Sequence, residues 1–178
     1  MGHETTLKTV KLAVIGALAM GFLGCSTMRS EIDIQASPQH VWRVLTDIES
    51  YPEWNPFFVK ARGDLHEGRS LDLVMQPVGK SQQSFSPTIL QIDPERQLVW
   101  RGRLWIPMLF DGTHHFIVEP RAGGGSHFVQ YEDFSGIFVP FVGFEPFRQG
   151  WEKMNASLKK RAEEHERANP PAHVAASP

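Results

Sequence analysis

The chain predicts an α+β domain in which a curved antiparallel sheet of seven strands wraps around one long C-terminal helix. Three observations carry that prediction. Short runs of alternating apolar and polar residues recur between residues 31 and 136, separated by compact turns. A capped helical segment interrupts them after the first run. Phe147, Trp151, Met154, Leu158 and Ala162, spaced by three and four, then give the last segment one long apolar face. Sequential strands and a single amphipathic helix bury those faces against each other.

The first strand is predicted at residues 31–36, where Ile32, Ile34 and Ala36 alternate with Glu31, Asp33 and Gln35. Ser37 is placed to cap a helix, Pro38 suits its first turn, and Val41, Leu45 and Ile48 form its apolar stripe. A Pro-bracketed aromatic turn, Tyr51 to Phe58, closes this helical segment. Six more strands are expected at residues 57–63, 69–77, 83–92, 97–104, 113–120 and 127–136. Turn chemistry at 65–68, 93–96 and 122–125 suits hairpins between antiparallel neighbours. The long helix is predicted over residues 145–167, roughly 30 Å at 1.5 Å per residue, enough to cross a small sheet. Residues 168–178 are Pro/Ala-rich and read as a disordered tail.

With 41% hydrophobic and 21% charged residues, the composition is that of one globular domain plus extensions. A net charge of -2 offers no basic face, so nucleic acid is not expected as a partner. Lys8 and Lys11 precede an apolar run over residues 12–24, shorter than the about 20 residues that span a bilayer. Residues 1–25 are therefore read as a signal peptide. Its end, Gly21-Phe22-Leu23-Gly24-Cys25, resembles the lipobox of bacterial lipoproteins, with Phe22 and Leu23 departing from the commonest residues. That resemblance implies lipidation of Cys25 and a membrane-anchored protein on the periplasmic or extracytoplasmic side of the cell envelope. The alternatives are an uncleaved anchor or a chance cysteine. Cys25 is the only cysteine, so no intramolecular disulfide is possible.

Residues 37–58, with Leu98-Val99-Trp100-Arg101-Gly102-Arg103-Leu104, Phe110-Asp111-Gly112-Thr113-His114-His115-Phe116 and Glu132-Asp133-Phe134-Ser135-Gly136, resemble the START-like or SRPBCC superfamily. Polyketide cyclases/dehydrases and lipid-transport proteins are among its members. The resemblance covers residues 29–167. It implies the helix-grip fold and a cavity between the sheet and the C-terminal helix, and it says little about substrate.

Requiring Phe116, Val118, Phe128 and Phe134 to face inward together sets a register across the 122–125 turn. Val118 then opposes Phe128, Phe116 opposes Gln130 and His114 opposes Glu132. An unpaired ionised carboxylate among apolar groups is costly, so Glu132 should be protonated or share a hydrogen bond with His114. These two are also the candidate catalytic residues, because a carboxylate beside an imidazole suits acid/base chemistry. A self-satisfied polar pair, or one that orients a ligand, is the preferred reading. Adjacent His114 and His115 point to opposite faces, no other cluster has metal-ligand spacing, and no nucleophile elbow exists. Neither metal nor cofactor is expected.

Three loops, residues 54–58, 105–110 and 137–144, are too rich in large apolar groups for ordinary surface loops. They are read as a rim over a bound ligand that also touches lipid, against the alternative that they plug a closed core. The expected function is binding, transport or sequestration of a small hydrophobic or lipid-like molecule at a membrane surface. The ligand candidates are Trp54, Asn55, Trp100, His114, Phe116, Gln130, Glu132, Phe134, Phe147 and Trp151. A cyclase/dehydratase-type enzyme using Glu132 and His114 is the first alternative. An envelope interaction module without ligand is the second.

Overall fold

A computed structural model describes residues 24–103 and 108–170. Residues 1–23 of the leader call, residues 105–107 of the 105–110 loop and the tail beyond 170 lie outside them. Among the described residues there are eight strands: β1 (Gly24–Ile34), β2 (Phe58–Arg62), β3 (Asp72–Met75), β4 (Gln83–Phe85), β5 (Thr88–Asp93), β6 (Gln97–Arg103), β7 (Asp111–Pro120) and β8 (Ser126–Gly136). Helix α1 (Pro38–Thr46) leads through a 3-10 turn at Ile48–Ser50 into the single-turn α2 (Tyr51–Trp54). A second 3-10 turn at Val139–Phe141 precedes the long helix α3 (Glu145–Ala168).

One sheet runs β1-β8-β7-β6-β5 and a smaller one β2-β3-β4, all pairs antiparallel. A bridge from Ser70 to Thr88 links the two. Helix α3 packs over β1 and α1 and buries Trp151, Met154, Leu158 and Ala162. Facing them is an aromatic layer in which Trp100 and Phe116 stand edge to face at 4.6 Å. The α+β helix-grip architecture is the one the sequence predicts.

The strands differ from expectation in two places. The predicted 83–92 strand is two, because Pro87 has no N–H for a ladder and breaks β4 from β5. Its carbonyl instead accepts the N–H of Leu71. The first strand begins at Gly24, not at residue 31, and pairs with β8 along its whole length. Its inward positions include Ser26 and Ser30, small and polar, so alternation of hydrophobicity does not mark it. Gly123, Gly124 and Gly125, all at positive φ, turn the chain from β7 into β8 as the glycine run predicts.

Ser37 does precede α1, but its side chain does not cap the helix. Its Oγ sits 3.0 Å from His40 Nδ1, and its backbone N–H donates to Glu166 Oε2 at 2.5 Å. This ties α1 to the end of α3, where the rings of His40 and His165 lie 5.1 Å apart. Burial first, then the nearby His40, Arg43 and Arg161, hold the His165 pKa below the usual histidine range. Above about pH 6.5 His165 is neutral folded and unfolded. As pH falls below that value the unfolded chain takes up the proton first, so stability is lost between the ordinary pKa and the lowered one. We expect the denaturation midpoint to fall between pH 7.5 and 5.5, and to fall less in His165→Gln; an equal fall in both would exclude His165 as the source.

Candidate functional site: an apolar cavity with one polar end

The register predicted across β7 and β8 is the register found: Val118 opposes Phe128, Phe116 opposes Gln130 and His114 opposes Glu132. Inward-facing positions of β6, β7 and β8 therefore carry Trp100, His114 and Glu132 toward α3, which lays Phe147 and Trp151 over them. Between these walls lies a cavity with about 70 Å³ open to water centres, room for several waters or a small ring.

Its walls come from every layer. Phe57 and Phe58 enter from the turn after α2, and Met75 and Phe85 from the small sheet. Phe110, Val142 and Phe144 are half-buried and stand where the cavity wall reaches solvent. Phe134 packs at a tilt against two of them, its ring 5.3 Å from Phe110 and 4.6 Å from Phe144. Each of the three apolar loops thus supplies wall residues, which explains their composition.

The polar end is His114 and Glu132. His114 Nδ1 lies 3.3 Å from Glu132 Oε2, and its Nε2 lies 3.1 Å from Gln130 Oε1. The imidazole is 2% exposed and packed by Phe116 at 4.2 Å and Trp151 at 4.5 Å between ring centres. Behind it, Gln130 Nε2 donates to Asn155 Oδ1 at 2.5 Å, and Asn155 Nδ2 donates to Ser30 Oγ at 2.9 Å. A buried polar chain from α3 to β1 thus satisfies itself group by group. On the other face of the sheet His115 stacks flat on Tyr131 at 4.3 Å, away from the cavity.

Of the ligand candidates, Trp100, His114, Glu132, Phe134, Phe147 and Trp151 line the cavity. Four do not. Asn55 accepts the N–H groups of Phe57 and Phe58 at 2.9 Å each, so its amide shapes the turn. Trp54 packs edge-on against Tyr51 and donates to Ser50 Oγ. Phe116 is wholly buried in the layer beneath, and Gln130 acts through His114. Burial pushes the Tyr51 phenol up, with the charge of Asp47 adding to it, and its O–H donates to the Leu45 carbonyl at 2.6 Å.

Sequence reasoning missed Gly102 and Gly112, both in the wall. A Cβ at Gly112 would collide with Glu132 Oε1, so the missing side chain is what lets that carboxyl lie across β7. Glycine inside a strand is itself a signal of such close approach. Met75, Phe85 and Arg103 were also missed; the first two reach the cavity only through the placement of the small sheet.

No curated protein sequence matches the chain. Among solved structures, a protein from Chromobacterium violaceum is similar with a TM-score of 0.63 at 18% identity, over 77% of this chain and 97% of that one. Norcoclaurine synthase from Thalictrum flavum, solved in complex with dopamine and hydroxybenzaldehyde, gives 0.62 at 16% identity, over 81% and 90%. A protein from Rhizobium loti gives 0.59 at 18%, over 76% and 98%. At these identities the likeness is one of fold. The family model described as polyketide cyclase / dehydrase and lipid transport matches residues 26–163, and the chain belongs to that family.

Proposed function

We propose that the chain holds a small, mainly apolar molecule in this cavity, at a membrane surface to which Cys25 is anchored by lipid. The observation that carries the binding reading is the cavity wall: aromatic rings from three loops, two sheets and α3 surround a space with the His114–Glu132 pair at its polar end. Burial of apolar ligand surface, worth about 25 cal/mol per Å² before binding costs, supplies the affinity. Native mass spectrometry of the purified protein, with solvent extraction of whatever it carries, tests this. A co-purified apolar molecule is expected; an empty protein that takes up no apolar compound would favour the interaction module instead.

The membrane reading is supported by where the chain enters the fold. Cys25 is exposed and pairs with Ser135, beside the turn that carries Ile137, Phe138 and Phe141. Phe141 is 80% and Phe138 43% exposed, and Met108 is 60% exposed. Large rings are rarely left in water without a partner surface. Cleavage before Cys25 would remove only the Gly24 to Gly136 pair from β1. An acyl chain on Cys25 would therefore leave the fold next to these exposed rings. Labelling with a fatty-acid analogue is expected in the wild type and lost in Cys25→Ala. Equal labelling of both would remove the anchor.

The cyclase/dehydratase alternative has one specific observation in its favour, the contact between His114 and Glu132 at the cavity wall. Turnover of a bound molecule that is abolished in Glu132→Gln would establish it.

A further inference from the structure

The hydrogen-bond chain behind the cavity determines which way its polar end faces. The Trp151 backbone carbonyl lies 3.4 Å from Gln130 Nε2, and a carbonyl only accepts, so this end of the amide is its NH2. The same nitrogen donates to Asn155 Oδ1. Gln130 Oε1 is thereby turned to His114 Nε2 and also only accepts, so Nε2 carries a proton. That leaves His114 Nδ1 facing Glu132 Oε2 at 3.3 Å.

Two lone pairs cannot face each other beside a ring so fully buried, so one proton lies between these atoms. It sits on Nδ1, making an imidazolium beside a carboxylate, or on Oε2, making a neutral imidazole beside a carboxylic acid. The pair has zero net charge in both forms. In both, the other oxygen of Glu132, Oε1, is an acceptor without a proton. Oε1 lies against Gly112 on the cavity wall and has no hydrogen-bond partner among the described residues.

Resting on the reading of the cavity as a ligand site, we infer that the ligand's buried polar end is a hydrogen-bond donor, a hydroxyl, phenol or ammonium group, and that a carboxylate is rejected. A donor reaches Oε1 and completes its bonding. A carboxylate would bring its own lone pairs against those of Oε1 and would lose its hydration without meeting a free cation. The other charged side chain on the wall, Arg103, is half exposed and bound through Nε to Asp111 Oδ1 at 3.0 Å.

Three probes of one ring size test this: para-cresol, para-toluate and para-xylene, titrated into the full chain while the indole N–H signals of Trp100 and Trp151 are followed by NMR. Para-cresol should bind at least about tenfold more tightly than para-toluate, and more tightly than para-xylene, the scale of one hydrogen bond to a charged or buried acceptor. Glu132→Gln should keep that order, because its amide nitrogen donates to His114 Nδ1 and again leaves an oxygen to the cavity. Glu132→Leu, checked for an unchanged fold by its denaturation midpoint, should bring para-cresol to the level of para-xylene. Para-toluate binding as well as para-cresol, or an unchanged cresol preference in Glu132→Leu, overturns the donor inference while leaving the cavity as an apolar site. If none of the three binds, the ligand-binding reading falls with it.

Discussion

Trp151→Ala is expected to destabilise the protein by about 3–5 kcal/mol, the range for removing a large buried aromatic side chain. Trp151 is 1% exposed and holds α3 on the sheet: its ring packs on His114, and the same face of the helix continues through Met154, Leu158 and Ala162. Alanine is the better helix former, but that gain offsets only about 0.5 kcal/mol of the loss. The surrounding groups are poorly placed to close the gap. Trp100, His114 and Phe116 are fixed by strand pairing, and the space left by the indole opens into a cavity that already exists. Urea denaturation of the two proteins measures the difference. A loss under about 1 kcal/mol would mean that the helix is not seated through this residue. Because the indole is also cavity wall, any molecule that co-purifies with the wild type should be retained poorly by the variant even where the variant is folded.

How much of this was legible before the structure differs from element to element, for physical reasons. The β7–β8 register was readable because four large apolar residues, Phe116, Val118, Phe128 and Phe134, must share one face, and a slip of one residue would turn all of them outward. Helix α3 was readable because its stripe repeats over many turns. The pairing of His114 with Glu132 followed from that register alone. Its support did not. Asn155 interrupts the apolar stripe as a single polar residue, and nothing local shows that Gln130 and Ser30 meet it across helix and sheet. Ser30 misled in a second way: a small polar residue facing inward is what erased the alternation of β1. Asn55 is read from the sequence as a ligand contact, and its two bonds to the Phe57 and Phe58 N–H groups show instead an amide that bonds its own turn.

Gln130→Leu should also be strongly destabilising, by about 2–5 kcal/mol, although leucine fills a similar volume and is more hydrophobic. Gln130 is wholly buried and serves two neighbours at once: it accepts from His114 and donates to Asn155. Leucine leaves the His114 Nε2–H without an acceptor and Asn155 Oδ1 without a donor, each costing about 1–3 kcal/mol when water cannot reach it. The apolar gain of the new side chain is smaller, because the site was already dry. Adding Asn155→Leu to Gln130→Leu removes one of the stranded groups, so the double variant should lose less than the sum of the two single losses, and the cycle should show a coupling of about 1 kcal/mol or more. The denaturation midpoints of the four proteins read this out. Additive losses would mean that Gln130 and Asn155 do not act through their shared hydrogen bond. The same substitution also frees the His114 tautomer, since Nε2 is no longer held to an acceptor, but Glu132 Oε1 stays an acceptor in either tautomer, so a folded Gln130→Leu should keep the preference for para-cresol. A preference lost along with stability would mean that the direction in which Oε1 faces the cavity depends on Gln130 and not on Glu132 alone.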